Sequence, residues 1–264
     1  MDLQLKNKKA LVTGSTAGIG FAIAKGLAKE GAEVYVNGRT NERVNSAIKQ
    51  IKDETGNQNV YGLIADFSNA KQVEELIAKL SEVEILVNNV GIFEPKAFRD
   101  ITDADWFKFF EVNVLSGVRL SRAYFDKMLA KNWGRIIFIS SESAVHIPSE
   151  MIQYGTTKTA QLAVSRGLAE LTKGTGVTVN TVLAGPTFSE GAGEFVKSIA
   201  KDQGKEVSQV EKEFFEHMRP TSLLQRFTST DEVANMVVYL SSPLSSATNG
   251  AALRADGGVV KGIL

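Results

Sequence analysis

The chain has 264 residues, 43% of them hydrophobic and 23% charged, and that length favours a single α/β domain over residues 1–264. Its 30 basic and 30 acidic residues give a formal net charge of zero, which argues against nucleic acid as a partner. The sequence contains no cysteine, so disulfides, thiolate zinc sites and cysteine nucleophiles are excluded.

The first residues, MDLQLKNKKALVTG, lead directly into a strand-like segment and lack the basic and apolar regions of a signal peptide. No apolar run approaches the roughly 18 residues that a membrane-spanning helix needs. We therefore expect a cytoplasmic protein with no membrane partner.

Short apolar runs rich in valine and isoleucine alternate with longer segments of helical spacing. Buried parallel strands are typically continuous apolar runs, and strand–helix alternation indicates βαβ units with right-handed crossovers. The pattern predicts a doubly wound parallel sheet, a Rossmann fold of about seven strands with helices on both faces. In chain order, the predicted strands are KKALVTG, AEVYVNG, VYGLIAD, VEILVNNVG, GRIIFISS, VTVNTVLAG and AALRADGG.

A glycine turn follows the first predicted strand and leads into an amphipathic helix, in LVTGSTAGIGFAIAKGLAKEG. Gly14, Gly18 and Gly20 form G-x-x-x-G-x-G, a relaxed spacing of the dinucleotide-binding fingerprint. These glycines permit a tight turn and close backbone approach to a pyrophosphate, whose charge the helix N-terminus attracts. Glycines also mark ordinary turns, but this position between a first strand and a first helix indicates nucleotide binding.

The end of the second predicted strand, VYVNGRT, bears on the choice of nicotinamide cofactor. Gly38 occupies the position where an NAD site carries an acidic residue for the ribose 2′-hydroxyl, and Arg39 follows. An arginine binds a 2′-phosphate through charge-assisted hydrogen bonds, whereas a carboxylate would repel it. We favour NADP(H) over NAD(H); in the alternative, Arg39 is an ordinary solvated arginine.

Several helix starts can be read from capping residues. TDAD at Thr102 and STDE at Ser229 fit capping boxes, and Ser149 is predicted to cap the helix that follows it. On that helix, Tyr154 and Lys158 lie one turn apart and share a face. The ammonium would stabilise the phenolate and lower the tyrosine pKa from about 10. In isolation, such residues are most simply a surface pair.

Residues 188–226, here named the insertion, interrupt the alternation with helical pieces and mixed charges but no strand. The insertion follows the sixth predicted strand, at the sheet edge where doubly wound folds bind ligands, so we predict a substrate lid. Gly191, Gly193 and Gly204 would allow movement, and EFVKSIA and VEKEFFEHM offer apolar faces. The alternative is a rigid helical pair used only for packing.

Together these features resemble the short-chain dehydrogenase/reductase family, and in particular its bacterial 3-oxoacyl reductases. The resemblance covers roughly residues 8–258, and the order and spacing of its motifs are highly specific. The motifs are TGSTAGIG (13–20), NNVG (88–91), Asn113 in FEVNVLSG, SS (140–141), YGTTK (154–158), VTVN ending at Asn180, RFTSTDEVANMVVYLSS (226–242) and ADGG (255–258).

The resemblance implies an oxidoreductase that interconverts a carbonyl and a secondary alcohol with NADP(H). Tyr154 would be the acid/base, Lys158 its helper, Ser141 the hydroxyl that orients the carbonyl, and Asn113 the holder of a relay water. Ser140 is the competing serine, but Ser141 has the family's spacing to the tyrosine. In reduction, Tyr154 would donate the proton, resupplied through the ribose hydroxyl, the lysine and the water.

The resemblance also assigns the cofactor-binding residues. Two departures from the family pattern affect them: Ala184 stands where proline is usual in the loop after the sixth strand, and Val90 replaces the usual alanine in NNVG. The assigned residues are Gly14, Ser15, Thr16, Gly18, Ile19, Gly20, Arg39, Asp66, Phe67, Asn88, Gly91, Tyr154, Lys158, Gly185, Thr187 and Ser189.

The substrate stays open between a small ketone, a polyol or sugar, and a 3-oxoacyl thioester of coenzyme A or a carrier protein. Carrier-protein reductases commonly place basic residues where Asn132 and Thr175 stand here, so a carrier partner is weakly supported. A non-catalytic cofactor-binding scaffold is a second class, although such proteins usually lose the tyrosine, the lysine or a turn glycine.

Metal binding and assembly complete the expectations. His146 and His217 share no motif spacing with a carboxylate pair, so we predict no metal site. The helices predicted around residues 103–129 and 151–171 resemble those that pair across a two-fold axis in the family. A homotetramer is therefore expected, with a dimer as the fallback.

Overall fold

The computed structural model describes residues 1–263, except for the side chains at positions 192, 194 and 195. Its sheet has seven parallel strands in the order β3-β2-β1-β4-β5-β6-β7, which confirms the predicted doubly wound fold. Each strand lies within one of the predicted apolar runs. The strands are β1 (Lys9–Val12), β2 (Glu33–Gly38), β3 (Val60–Ile64), β4 (Ile85–Asn88), β5 (Gly134–Ser141), β6 (Val177–Ala184) and β7 (Ala252–Ala255).

Nine α-helices connect or flank these strands in the described part of the chain. Two π-helical turns, Glu111–Leu115 and Phe214–Met218, adjoin them. The helices are α1 (Gly18–Lys29), α2 (Asn41–Thr55), α3 (Ala70–Lys79), α4 (Asp103–Phe110), α5 (Ser116–Ala130), α6 (Ile152–Glu170), α7 (Glu190–Gln203), α8 (Val207–Glu213) and α9 (Thr230–Leu240).

Helices cover both faces of the sheet because successive side chains of a strand point to opposite faces. Val12 of β1 enters one core with Ile23 of α1 and Val237 of α9. The neighbouring Leu11 enters the other core with Leu120 of α5. Since β1 pairs with both β2 and β4, the strand order reverses there and a crevice opens at the carboxyl ends of β1 and β4.

Two of the three predicted helix caps are confirmed. Thr102 Oγ1 accepts from the Asp105 N–H at 3.2 Å, and Ser229 makes the same reciprocal box before α9. The cap predicted at Ser149 is wrong, because Ser149–Met151 forms a separate 3₁₀ turn and α6 begins only at Ile152. A distant contact holds this turn: the Glu150 carbonyl accepts from the Lys96 N–H at 3.0 Å.

The insertion folds into α7, α8 and the second π-helical turn, and the described residues 188–226 contain no strand. It has a small core of its own, in which Val196 and Ala200 of α7 meet Val210 of α8 and Phe227. The side chains of Glu194 and Phe195, part of the predicted apolar face EFVKSIA, lie outside the described residues. Between residues 1 and 263, no helix has the length and apolarity that crossing a membrane requires.

Candidate active site

The glycine turn after β1 is held from two sides by asparagines. Gly14 and Gly18 both have φ of 59°, a conformation that favours glycine. Asn37 at the end of β2 accepts from the Gly14 N–H at 3.0 Å, and Asn89 after β4 donates to the Gly14 carbonyl at 3.0 Å. A Cβ on Gly20 would lie 2.4 Å from Asn89 Nδ2, so the third glycine allows this approach. Asn89 is part of the NNVG motif, but no role was predicted for it or for Asn37; the sequence signal is an amide at the end of an apolar strand.

A cavity of about 620 Å³, here named the first cavity, lies beside this turn. Arg43 of α2 and Lys108 of α4 add two cations to its lining that were not predicted. Arg43 pairs with Glu190 of the insertion at 2.7 Å, and both side chains are exposed. The predicted cofactor residues that line the cavity are Gly14, Thr16, Arg39, Asp66, Phe67 and Gly91.

Two other predicted cofactor residues use their side chains within the fold. The Ser15 hydroxyl donates to the Val12 carbonyl at 2.7 Å and accepts from the Asn37 N–H at 2.9 Å. Asn88 is buried and donates to the Ser121 hydroxyl at 3.2 Å. These two side chains therefore support the turn and β4 and do not line the first cavity.

The loop after β6 places its predicted residues next to both the glycine turn and a second cavity. A Cβ on Gly18 would lie 3.4 Å from Ser189 Cβ, so this loop comes close to the start of α1. Gly185 and Thr187 line the second cavity. The Thr187 hydroxyl is 2.9 Å from that of Thr228, which joins this loop to the segment that follows the insertion.

Helix α6 carries Tyr154 and Lys158 on one face, with the lysine Nζ 5.7 Å from the centre of the tyrosine ring. Lys158 is buried, its Nζ donates to the Ile139 carbonyl at 2.8 Å, and burial lowers its pKa to about 8. A Cβ on Gly91 would lie 3.3 Å from that Nζ and 3.5 Å from Asn113 Oδ1. Gly91 therefore leaves room where the lysine and the asparagine approach each other.

The two adjacent serines at the end of β5 have different partners. The Ser140 hydroxyl donates to the Lys158 carbonyl at 2.9 Å and is buried. Ser141 lies close enough to Tyr154 to lower its pKa, and both residues line the second cavity, whereas Ser140 does not. The geometry thus places Ser141, and not Ser140, beside the tyrosine.

The pKa of Tyr154 moves in the direction opposite to the one predicted. Burial, the dominant cause, raises it to about 12, and the charge of Glu142 raises it further. The neighbouring Ser141 and the charge of Arg219 act in the lowering direction but do not compensate. The prediction was based on nearby positive charge and left out desolvation, which disfavours a charged phenolate.

Asn113 lies in the first π-helical turn, between α4 and α5, and its side chain is hydrogen-bonded to neighbouring segments. Its Oδ1 accepts from the Ile92 N–H at 2.7 Å, and its Nδ2 donates to Thr157 Oγ1 at 3.0 Å. Its backbone carbonyl accepts from Gln161 Nε2 at 2.6 Å. Since each of these oxygens has two lone pairs, a relay water would have the remaining lone pair of the backbone carbonyl or of Oδ1 as its acceptor.

The second cavity has a volume of about 440 Å³, and Ser141 and Tyr154 are part of its lining. Glu142, Glu150 and Arg219 are its charged residues. Most of the remaining wall is apolar and comes from the loop after β4, the start of α6 and the insertion. Six of these side chains are Phe93, Met151, Val196, Ile199, Phe214 and Phe227.

Sequence reasoning missed Glu142 and Arg219, which form a buried ion pair beside Ser141 with Nε and Oε1 2.7 Å apart. The sequence feature that could have indicated Glu142 is a carboxylate directly after the buried strand β5. His146 and His217 belong to no cluster of three or more metal-ligating side chains in the described part of the molecule.

Comparison with known proteins gives a consistent picture. The family model described as short chain dehydrogenase matches residues 8–199. The chain is 50% identical over 263 residues to the uncharacterized oxidoreductase YvaG of Bacillus subtilis (strain 168), with 100% of both proteins covered. It is 32% identical over 263 residues to the 3-oxoacyl-[acyl-carrier-protein] reductase FabG of Aquifex aeolicus (strain VF5), covering 98% of this chain and 100% of that protein.

A solved structure extends this similarity to three dimensions. L-Sorbose reductase from Gluconobacter frateurii, complexed with NADPH and L-sorbose, has a TM-score of 0.94 to this chain at 29% identity. The match covers 100% of both chains, so the likeness includes the insertion as well as the sheet.

Proposed function

The chain belongs to the short-chain dehydrogenase family, and from this premise we propose that it is an NADP(H)-dependent oxidoreductase that interconverts a carbonyl and a secondary alcohol. The observation that carries the proposal is that Ser141 and Tyr154 lie together in the lining of the second cavity. Lys158 lies one helical turn from the tyrosine and is buried, whereas Tyr154 is partly buried. A substrate carbonyl oxygen in that cavity would meet two hydroxyl donors.

Each residue then has a distinct role in reduction. Ser141 and Tyr154 would hold the carbonyl oxygen, and NADPH in the first cavity would be the source of the hydride for the carbonyl carbon. The raised pKa of Tyr154 keeps its hydroxyl protonated near neutrality, as a proton donor requires. The buried ammonium of Lys158 stabilises the phenolate left after proton transfer. The protein therefore contributes the fixed positions of the two hydroxyl groups and the charge that stabilises the phenolate.

The lining of the first cavity supports NADP(H). Gly14 and Gly18 adopt the positive φ that a close turn around a pyrophosphate needs. A side chain at Gly38 would collide with Thr16, since its Cβ would lie 2.4 Å from Thr16 Cγ2. No carboxylate therefore occupies that strand end, and Arg39 remains as a partner for a 2′-phosphate. NADPH in the complex of L-sorbose reductase is a further argument.

The wall of the second cavity supports a carbonyl substrate with an apolar body. Sugars need several polar partners, because a buried hydroxyl without a hydrogen bond is costly. Here the charged residues Glu142 and Arg219 bind each other, and aromatic and aliphatic side chains such as Phe93 and Ile199 cover much of the remaining surface. We therefore favour an alkyl or aryl ketone over a polyol or sugar.

A spectroscopic assay of NADPH oxidation against a carbonyl panel tests this proposal. The panel contains alkyl ketones, aryl ketones and L-sorbose. The control variant is Tyr154→Phe, which lacks the tyrosine hydroxyl. We expect turnover of apolar ketones with a higher kcat/KM than for L-sorbose. Turnover of none of these carbonyls would contradict the oxidoreductase proposal and favour a non-catalytic cofactor-binding scaffold.

A 3-oxoacyl-thioester reductase is the second candidate, supported by the 32% identity to FabG. Against a carrier-protein partner, the two positions expected to be basic are neutral and engaged within the chain. Asn132 Oδ1 accepts from the Gly176 N–H at 2.8 Å, and the Thr175 hydroxyl donates to the Thr172 carbonyl at 2.7 Å. Adding acetoacetyl thioesters of coenzyme A and of a carrier protein to the panel distinguishes these alternatives.

We further propose that the insertion is a substrate lid. Val196, Phe214 and Met218 of the insertion line the second cavity, so its movement would change access to Tyr154. Gly204, between α7 and α8, has φ of 62° and open space around it. Closure would exclude water from the reacting atoms.

Hydrogen exchange tests the lid. We expect amides of α7 and α8 to gain protection when NADPH and a ketone analogue are added together, with β5 amides protected throughout as the internal reference. Strong protection of α7 and α8 without ligand, unchanged on binding, would identify the insertion as fixed scaffold.

The assembly proposed is a homotetramer, with a dimer as the fallback. Exposed apolar side chains on and beside α4 support an interface there: Phe107 is 76% exposed and Phe98 63%. Light scattering that gave a stable 28.6 kDa monomer at micromolar concentration would reject the proposal.

A further inference from the structure

A buried ion pair joins the end of the insertion to the end of β5. Arg219 directly follows the second π-helical turn, and its Nε donates to Glu142 Oε1 at 2.7 Å. The two residues are 6% and 3% exposed. Burying two charges costs desolvation free energy that their attraction offsets only partly, so stability alone is a poor reason for such a pair.

The second carboxylate oxygen of Glu142, Oε2, contacts Ser141, the serine proposed to hold the substrate carbonyl oxygen. A serine hydroxyl has a single proton to donate, and Ser141 donates it to Glu142 Oε2 at 2.8 Å. The Ser143 hydroxyl donates to the same oxygen, and the Ser143 N–H donates to Ser141 Oγ at 3.1 Å. The proton that a substrate carbonyl would need therefore points at a carboxylate.

The strength of the hydrogen bond from the Ser141 hydroxyl to Glu142 depends on how far the negative charge of the carboxylate is compensated. A carboxylate is a stronger acceptor than a carbonyl oxygen, so an uncompensated Glu142 would keep the Ser141 O–H. Arg219 places a guanidinium on the opposite oxygen and spreads the negative charge toward itself. The two charges also act on Tyr154, one raising and the other lowering its pKa.

We propose that Glu142 and Arg219 are positioning residues that set the direction of the Ser141 O–H. Glu142 orients the hydroxyl, and Arg219 weakens the carboxylate enough for that hydroxyl to turn to an arriving carbonyl oxygen. Because Arg219 ends the π-helical turn of the insertion, the position of the insertion is coupled to the serine. This inference rests on the carbonyl-reductase function proposed above.

A purely structural role is the competing explanation. Arg219 Nη1 donates to the Met218 carbonyl at 2.8 Å and lies 3.6 Å from Glu150 Oε1, just before α6. Arg219 therefore links three segments and could simply hold them together. A structural link would affect stability and the fraction of folded protein, whereas the positioning role affects kcat of each folded site.

The test measures kcat and KM for a ketone from the panel in Arg219→Met, Arg219→Lys, Glu142→Gln and the double variant Glu142→Gln/Arg219→Met. Active sites are counted by NADPH titration, and Tm is recorded. We expect Arg219→Met to lower kcat per site about tenfold, the effect of losing one hydrogen bond to the substrate oxygen, with KM for NADPH unchanged. Arg219→Lys, which keeps the charge, should retain most of the activity.

The double variant is the decisive measurement, because it removes the carboxylate that Arg219 compensates. We expect its kcat per site to recover to within about threefold of wild type, and it remains informative if Arg219→Met does not fold. Lys131→Met, which breaks an exposed 2.9 Å pair with Glu82 outside the insertion and does not contact Ser141, should leave kcat unchanged.

Two results would overturn the inference while leaving the proposed function intact. One is an unchanged kcat per site in both Arg219→Met and Arg219→Lys; the other is a double variant no more active per site than Arg219→Met. A wild-type protein that reduces no carbonyl of the panel would contradict the proposed function itself, and the positioning role would fall with it.

Discussion

Replacing Tyr154 with phenylalanine is expected to lower the turnover of a ketone by about 10²–10⁴-fold, the usual contribution of a positioned acid. The substitution removes one hydroxyl and leaves the ring, which lies edge-on to Phe93 at 6.4 Å between centroids. Packing in the second cavity should therefore persist. The first cavity, with Arg39 and the glycine turn, is untouched, so NADPH should bind as in wild type.

Stopped-flow or steady-state measurement of NADPH oxidation gives the turnover, and NADPH fluorescence titration gives the binding. Near-normal turnover of Tyr154→Phe would mean that the proton comes from another group. Loss of NADPH binding together with turnover would mean that the tyrosine acts through the structure of the cofactor site and not as an acid.

The pH dependence of ketone reduction tests the roles of Tyr154 and Lys158 together. Burial lowers the pKa of Lys158 to about 8, so its ammonium loses a proton as pH rises through that value. We expect ketone reduction by the wild type to fall above about pH 8, because the phenolate left after proton transfer loses its cation. The residual activity of Tyr154→Phe should lack this fall. A wild-type rate still level at about pH 9 would contradict the role of the ammonium.

The second large effect is expected at Arg39, which lines the first cavity next to Gly38. Its positive charge reaches Asp66, whose pKa is lowered first by hydrogen bonding to the Ser68 N–H and also by Arg39. Arg39→Asp should weaken NADPH binding by about 1–3 kcal/mol, the range for a hydrogen bond to a charged group. The use of NADH relative to NADPH should rise, since a carboxylate repels the 2′-phosphate and can accept from a 2′-hydroxyl.

Dissociation constants and kcat/KM for both cofactors measure this preference. Lys173→Asp is a matched control, because it makes the same charge change at an exposed position near the amino end of β6. An unchanged NADPH/NADH ratio in Arg39→Asp would refute the assignment. Arg43, which shares the first cavity and pairs with Glu190, would then be the next cation to replace.

The amino-acid sequence by itself determined the strands, the glycine turn and most of the helix starts. Continuous apolar runs located all seven strands, and the capping boxes at Thr102 and Ser229 were correct. The spacing of Tyr154 and Lys158 also placed them on one helix face. These features depend on residues within a few positions of one another, so local periodicity and hydrogen bonding are enough to predict them.

Only the tertiary structure decided what surrounds those residues. Glu142 and Arg219 are 77 residues apart in sequence, and no local pattern joins them. The failed cap at Ser149 and the raised pKa of Tyr154 have the same origin, since a distant Lys96 N–H holds the turn and burial by several segments desolvates the phenol. Desolvation and long-range pairing depend on the path of the whole chain, which the spacing of neighbouring residues does not record.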